Sequence, residues 1–409
     1  MKLLHTSDWH IGRILQTRKR YEEFEAFLDW LAQTIEEREI DIIVVSGDIF
    51  DNTTPSNRSQ ELYYHFLCRM AASKCRHVVV TAGNHDSPSF LNAPKELLKA
   101  LNVHVTGNIS ENPEDEVITL SGKNGEPGII VCAVPYLRDR DIRRSEEGES
   151  IEDKERILIE GIKKHFRDVC AAAEARRKET GARIPIVAMG HLYAAGGKVV
   201  DGDGVRELYI GNLAQVGADI FPESIDYLAL GHLHIEQSVG GSEFVRYSGS
   251  PLPMGFAEAA QEKCVLEVEF GPGVPSVKKI PVPCFQELKT LKGDWDKIES
   301  EIRALKKQSS TAWLEVVYEG DEIASSLSER LEELTAGSKL EIVRTKNTRI
   351  IERALSRMHV EETLDDLEPS DVFLRCLNAH NVPEVQRKAL INAYNEALSS
   401  LFEEDVAAA

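Results

Sequence analysis

The sequence is poor in several features that would settle its class at once. No apolar run in its 409 residues approaches the roughly 20 needed to cross a bilayer. The first residues, Met1-Lys2-Leu3-Leu4 followed by polar positions, read as neither a signal peptide nor a transit peptide, so a cytoplasmic location is expected. The 7 cysteines, at positions 68, 75, 132, 170, 264, 284 and 376, are dispersed and form no Cys-x-x-Cys pair. That excludes a zinc ribbon or disulfide framework and suits reduced thiols packed as small hydrophobes. Positive charge is also scarce: 48 Lys+Arg face 68 Asp+Glu, a formal net charge of −20. Such a chain does not coat itself in nucleic acid by bulk electrostatics, but a phosphate substrate held through metal ions stays open. No G-x-x-x-x-G-K-[S/T] loop is present. Gly196-Gly197-Lys198 comes nearest, and Leu192 stands where its first glycine should be, so ATP binding by a P-loop is excluded.

What is present is a core-forming chain with 42% hydrophobic residues, long enough for two or three domains. Its first part alternates strands and helices. Lys2–Thr6, Ile42–Val45 and Val78–Val80 read as strands. Tyr21, Phe24, Leu28, Leu31 and Ile35, then Leu62, Phe66 and Met70, then Leu91, Leu97, Leu98 and Leu101 recur at helical spacing. This order implies a mostly parallel sheet layered with helices. Further strands are expected at Gly128–Val134, Pro185–Met189 and Tyr227–Leu230, with a charged helix over Glu152–Arg177. Beyond residue 237, short runs such as Phe244–Tyr247, Val265–Phe270 and Val277–Val282 suggest antiparallel pairing. Three regions follow: residues 1–285, a small α/β unit at 286–349, and an acidic helical region at 350–409 carrying 5 basic and 12 acidic groups.

Five short motifs carry metal-type ligands: Asp8-Trp9-His10, Gly47-Asp48, Gly83-Asn84-His85-Asp86, Gly190-His191 and Gly231-His232-Leu233-His234. Each follows an expected strand, and in open α/β sheets ligand sites gather at the carboxyl ends of strands. The glycines permit tight turns there. Five of the 12 histidines lie in these motifs, and the other seven (5, 65, 77, 104, 165, 359 and 380) read as structural or surface residues. A lone Gly-Asp or Gly-His is an ordinary turn; five together point to one metal centre. Asp8, His10, Asp48, Asn84, His191, His232 and His234 exceed what one ion uses. Two ions sharing a carboxylate, with Asp48 the natural bridge, account for them. Mixed imidazole and carboxylate ligands favour a borderline transition metal, manganese first, with iron, zinc or magnesium as alternatives.

The order DxH…GD…GNHD…GH…GHxH resembles the calcineurin-like metallophosphoesterases. Within them, His5-Thr-Ser-Asp-Trp-His-Ile-Gly12, Ser46-Gly-Asp-Ile-Phe-Asp51, Asp226-Tyr-Leu-Ala-Leu-Gly-His-Leu-His234 and Tyr247-Ser-Gly-Ser-Pro251 resemble the SbcD family of nuclease subunits. The likeness covers residues 1–285 closely and the remainder by layout. It implies a β-sandwich flanked by helices, a small α/β capping domain that presents DNA, and C-terminal helices. By motif, Asp8, His10, Asp48 and His234 would hold one ion, and Asp48, Asn84, His191 and His232 the other. His85 would face the scissile phosphate without binding metal. Asp86 would either orient His85 or cap the helix before Pro88. Archaeal relatives carry a His where this chain has Asp51, so no role is transferred to Asp51.

The resemblance further implies a manganese-dependent DNA nuclease. It would act as a 3′–5′ exonuclease on double strands and an endonuclease on single strands and hairpins, in repair, replication and recombination. It would work with an SbcC-type coiled-coil ATPase, as a homodimer within a heterotetramer, in the bacterial cytoplasm at the nucleoid and not at a membrane. The dimer would form through helices near residues 57–71 and 87–101. The apolar stripe Phe373, Leu374, Leu377, Leu390, Ile391, Tyr394, Leu398, Leu401 and Phe402 would dock on the ATPase. The competing reading is a small-molecule or protein phosphoesterase of the same superfamily. Against it, Gly47-Asp-Ile-Phe-Asp-Asn52 lacks the arginine of the protein-phosphatase segment. Arg138, Arg140, Arg143 and Arg144 read as a solvated loop, and Asp201-Gly-Asp-Gly204 as a turn.

Overall fold

The computed structural model describes residues 1–142, 151–194, 216–320 and 324–347, with the helical residues Phe373, Leu374, Leu377, Arg387, Leu390, Ile391 and Tyr394. The chain forms two units, Met1–Lys289 and Thr290–Ala409.

The first unit contains two six-stranded sheets. One runs Ser276–Pro281, Cys264–Glu269, Lys2–Thr6, Ile42–Ser46, His77–Thr81, Val103–Thr106. Its last four strands are parallel, and the strand Cys264–Glu269 is antiparallel to Lys2–Thr6. The other sheet runs Gln237–Val239, Ser242–Tyr247, Tyr227–Gly231, Ile186–His191, Pro127–Ala133, Val117–Ser121.

Side-chain alternation along these strands explains the layering, because successive residues point to opposite faces. Leu3, Ile42, Val44 and Val79 from the first sheet meet Ile129, Val131, Val187, Met189, Tyr227 and Ala229 from the second in one buried cluster. Their neighbours Leu4, Ile43, Val45 and Val80 turn outward and pack under Phe24, Phe27, Leu31 and Phe66. Those belong to the helices Tyr21–Glu37 and Asn57–Ala71. Ile130, Cys132, Ile186 and Ala188 pack under Phe166, Val169 and Ala173 of the long helix Ile151–Thr180. The two sheets are therefore faced by helices on their outer sides, the sandwich expected from the resemblance. Buried His5 ties the sheets together, with Nδ1 2.9 Å from the Tyr227 hydroxyl and Nε2 3.2 Å from the Leu230 carbonyl.

Two local expectations change. The helix read across Leu91–Leu101 is two short helices, Pro88–Asn92 and Lys95–Lys99. Pro94 lies between them, has no N–H to donate and cannot continue a turn. Leu97 and Leu101 are exposed as a result. The strand containing Phe244–Tyr247 is antiparallel only to Gln237–Val239; it runs parallel to Tyr227–Gly231. Gly240 and Gly241, at φ 64° and 72°, make the left-handed turn that folds the hairpin back. Strands Val103–Thr106, Val117–Ser121 and Leu288–Gly293 carried no distinct sequence signal. Cys75, Cys132, Cys170 and Cys264 are buried free thiols as expected, whereas Cys68 and Cys284 are exposed.

The second unit is built on the sheet Leu288–Gly293, Trp313–Tyr318, Glu341–Asn347. Helices Trp295–Lys307 and Ala324–Thr335 bury Ile298, Ile302, Leu305, Leu327 and Leu331 against Leu291, Leu314 and Val316. Asp294 caps the first helix by accepting from the Lys297 N–H at 3.0 Å. The tail residues Phe373 and Tyr394 stack, with ring centroids 4.0 Å apart. Leu398, Leu401 and Phe402 of the expected stripe lie outside the described residues, as do Arg143, Arg144 and the segments 196–198 and 201–204.

Candidate metal centre

The five motifs converge at the carboxyl ends of five strands, three from one sheet and two from the other. Asp8 and His10 follow Lys2–Thr6, Asp48 follows Ile42–Ser46, and Asn84 follows His77–Thr81. His191 ends its strand, and His232 and His234 follow Tyr227–Gly231. The backbone is left-handed at Asp8 (φ 53°), His10 (48°), Asp48 (51°) and His232 (100°). Such conformations are costly for residues with a Cβ and persist where surrounding structure imposes them, often at functional sites. The glycines serve two purposes. Gly47, at φ 83°, makes the expected turn. Gly83 and Gly231 instead permit close approach: a Cβ would stand 2.1 Å from Asp48 Oδ1 at Gly83 and 1.9 Å from the Ser46 carbonyl oxygen at Gly231.

Asp8, His10, Asp48, His191, His232 and His234 are all buried. Asp8, His10 and His234 form one group of converging ligand atoms and Asp48, His191 and His232 another, each within 4.8 Å. Asp48 reaches both: its Oδ2 is 3.5 Å from His10 Nε2 and 3.3 Å from His191 Nε2. Asn84 joins the second group, with Oδ1 3.0 Å from His191 Nε2 and 3.1 Å from His232 Nδ1. The structure thus brings all seven sequence-derived ligand candidates together.

The arrangement fits cations. His191 Nδ1 lies 2.9 Å from the Ser46 carbonyl. A carbonyl only accepts, so this nitrogen carries the hydrogen, and in the neutral ring Nε2 points a lone pair at two acceptor oxygens. Those lone pairs repel unless a proton or a metal ion lies between them. Without metal the proton takes that place. Burial opposes charge on His191, but Asp48, Asp8 and the Ser46 carbonyl lift its pKa to about 9. Asp48 keeps its charge despite burial, held well below the usual carboxylate range by His191, His85 and His10. Burial pushes His10 down to about 4 and His232 to about 3, which leaves them neutral as metal ligands must be. Neither ring nitrogen of His10 makes a well-aligned hydrogen bond, an orphaned state that an ion at Nε2 resolves.

His85 and Asp86 separate in role. The His85 N–H donates to Asp48 Oδ1 at 2.9 Å, and its Nδ1 donates to the Asp51 carbonyl at 2.9 Å. Its ring lies 4.9 Å from that of His10. Asp86 does neither task expected of it. Ser87 caps the following helix, and the Asp51 carbonyl orients His85. The buried Asp86 carboxylate instead accepts from Gly83 N (2.8 Å), Ile49 N (3.1 Å) and Phe50 N (3.0 Å), clamping two ligand loops together. Burial, then the charge of Asp48, raises its pKa to about 6 against those three bonds. Asp86→Asn turns an amide N–H₂ toward a backbone N–H and is expected to cost about 1–3 kcal/mol. Denaturant unfolding checks this, and wild-type stability would reject the clamp.

Two acidic side chains behind the ligands escaped sequence reasoning. Asp51 Oδ1 stands 3.3 Å from His10 Nδ1 and 3.1 Å from Arg13 Nη1. Glu258, fully buried, lies 3.3 Å from His234 Nδ1 and pairs with buried Lys263. Asp51 belongs to a recognised motif, but nothing in its spacing told where its carboxylate points. Glu258 and Lys263 carry no local signal at all.

Comparison with known proteins agrees with this geometry. Residues 1–236 match the calcineurin-like phosphoesterase family, and residues 284–381 match the type 5 capsule protein repressor C-terminal domain, SbcD_C. The SbcD component of the nuclease SbcCD from Escherichia coli K12 is 34% identical over 408 residues, covering 98% of each chain. The chain belongs to the SbcD family of calcineurin-like phosphoesterases. The Rhodobacter capsulatus member is 35% identical over 289 residues, covering 69% of each chain. The Bacillus subtilis member is 33% identical over 274 residues, covering 67% of each. As an SbcD-family protein the chain is a metal-dependent phosphodiesterase, and its paired ligand groups are those of a centre for two divalent ions. Among the described residues no helix is long and apolar enough to cross a membrane.

Proposed function

We propose that the chain is the nuclease subunit of an SbcCD-type complex. In this reading it hydrolyses DNA phosphodiesters with two manganese ions, as a 3′–5′ exonuclease on duplex ends and an endonuclease on hairpins and single strands. The reading places it in the bacterial cytoplasm, in DNA repair, replication and recombination. The observation that carries it is the end-to-end match to proteins named as SbcCD nuclease subunits, in a chain whose ligand set is complete and buried.

Asp8, His10, Asp48 and His234 would hold one ion; Asp48, Asn84, His191 and His232 the other. Bound there, divalent ions polarise phosphoryl oxygens and supply hydroxide near neutral pH. His85, with Nδ1 committed to a carbonyl, holds a proton at Nε2 for the departing oxygen. The carboxylate of Asp48 sets His85 in place through the backbone and faces both ligand groups.

The absence of a Walker motif supports an ATPase partner of the SbcC type that gates DNA access. The tail after residue 350 would dock on it, and residues 286–349 would present DNA. Exposed Leu97 and Leu101 support a homodimer face near residues 57–71 and 87–101, within a heterotetramer.

The test is cleavage of end-labelled duplex and hairpin DNA with manganese or magnesium, with and without the ATPase and ATP. Manganese-dependent shortening of 3′ ends and hairpin opening, stimulated by the partner, is expected. Deleting residues 350–409 should abolish that stimulation and leave basal cleavage. Hydrolysis confined to small phosphoesters, or ATPase activity in the lone chain, overturns the reading.

A further inference from the structure

The two ligand groups differ in what stands behind their histidines. In the Asp48–His191–His232 group, His191 is braced by a neutral backbone carbonyl, and Asn84 adds a neutral amide. In the Asp8–His10–His234 group, both histidines turn Nδ1 toward a carboxylate. His234 Nδ1 meets Glu258 Oε1 at 3.3 Å, and His10 Nδ1 faces Asp51 Oδ1 at 3.3 Å.

The two carboxylates share an anchor. Glu258 Oε2 accepts from the Met254 N–H at 3.1 Å. Arg13, paired with Asp51 at 3.1 Å, donates from Nε to the Met254 carbonyl at 3.1 Å. Glu258 is held from its other side by Lys263 Nζ, which also donates to the His234 carbonyl at 3.1 Å and to Ser250 Oγ at 3.0 Å. All these groups except Asp51 and Arg13 are buried. A carboxylate that receives the outer N–H of a ligand imidazole fixes the ring's tautomer and angle and makes the inner nitrogen a better donor.

We propose that Glu258, fixed by Lys263, is a positioning residue for the Asp8–His10–His234 ion alone, with Asp51 its weaker counterpart on His10. The inference rests on the two-ion reading above. It adds that the ions are held by different means and can be weakened separately.

The test uses full-length protein stripped of metal and titrated with manganese, free ion being followed by electron paramagnetic resonance. Wild type should bind two ions; fewer than two overturns the two-ion reading and this inference with it. E258Q should weaken one binding step by about 10–100-fold and leave the other within about twofold. D51N should weaken the same step, less strongly, whereas N84A should weaken the other. E258Q strands the Lys263 ammonium, so the double variant E258Q/K263M separates positioning from burial of an unpaired charge. It should recover thermal stability but keep the binding defect. Two wild-type steps with E258Q harming neither, both equally, or the step that N84A harms, or a double variant with normal binding, overturns the proposal.

Discussion

His85→Ala is expected to lower phosphodiester cleavage by about 10²–10⁴-fold, the range of a lost general acid, while metal content stays at the wild-type level. The separation follows from the contacts. The ring of His85 is held by the Asp51 carbonyl, while its bond to Asp48 is made by the backbone N–H, which alanine keeps. The loop and the Asp48 carboxylate therefore remain in place. Turnover of a duplex substrate and elemental analysis of the same preparation give both readouts. Loss of metal together with activity would assign His85 to the ligands; full activity would remove it from the chemistry.

Asp48→Asn is expected to release both ions, weakening each by more than about 100-fold, beyond what outlying partners of a ligand contribute, and to bring cleavage to background. The substitution keeps an oxygen to accept the His85 N–H and replaces the Oδ2 that faces His10 and His191, so the loop need not refold. It also inverts the electrostatics of the metal-free pocket. His191 stands at about 9 because Asp48 outweighs its burial; without that charge, burial dominates and the pKa falls. Wild-type protein loses the His191 proton only as pH rises through about 9, whereas the variant should show a neutral ring at pH 7. Manganese titration and histidine ring NMR of the metal-free protein check the two effects. Retention of one tightly bound ion would show that Asp48 does not serve both groups.

These predictions rest on residues that were legible in the chain because each ligand sits in a short motif just past an apolar strand. Parallel pairing then carries the strand ends to one edge, so local spacing suffices to foresee convergence. The same logic failed for Asp86, where both expected roles were local and the actual one is long-range: its carboxylate binds the backbone of a loop 36 and 37 residues away. It failed for the Leu91–Leu101 stripe because apolar periodicity was read through Pro94.

By itself the sequence determined the chemistry: seven metal-type side chains and His85 at strand ends, no P-loop, and a net charge of −20 that leaves phosphate binding to metal ions. Only the tertiary structure decided which ring nitrogen of each histidine faces inward, that Gly83 and Gly231 allow contact rather than turns, and that Asp51 and Glu258 stand behind His10 and His234. The physical reason is that ligand identity is a property of residue type and near neighbours. Tautomer, closeness and bracing depend on atoms that meet only when the two sheets close on each other.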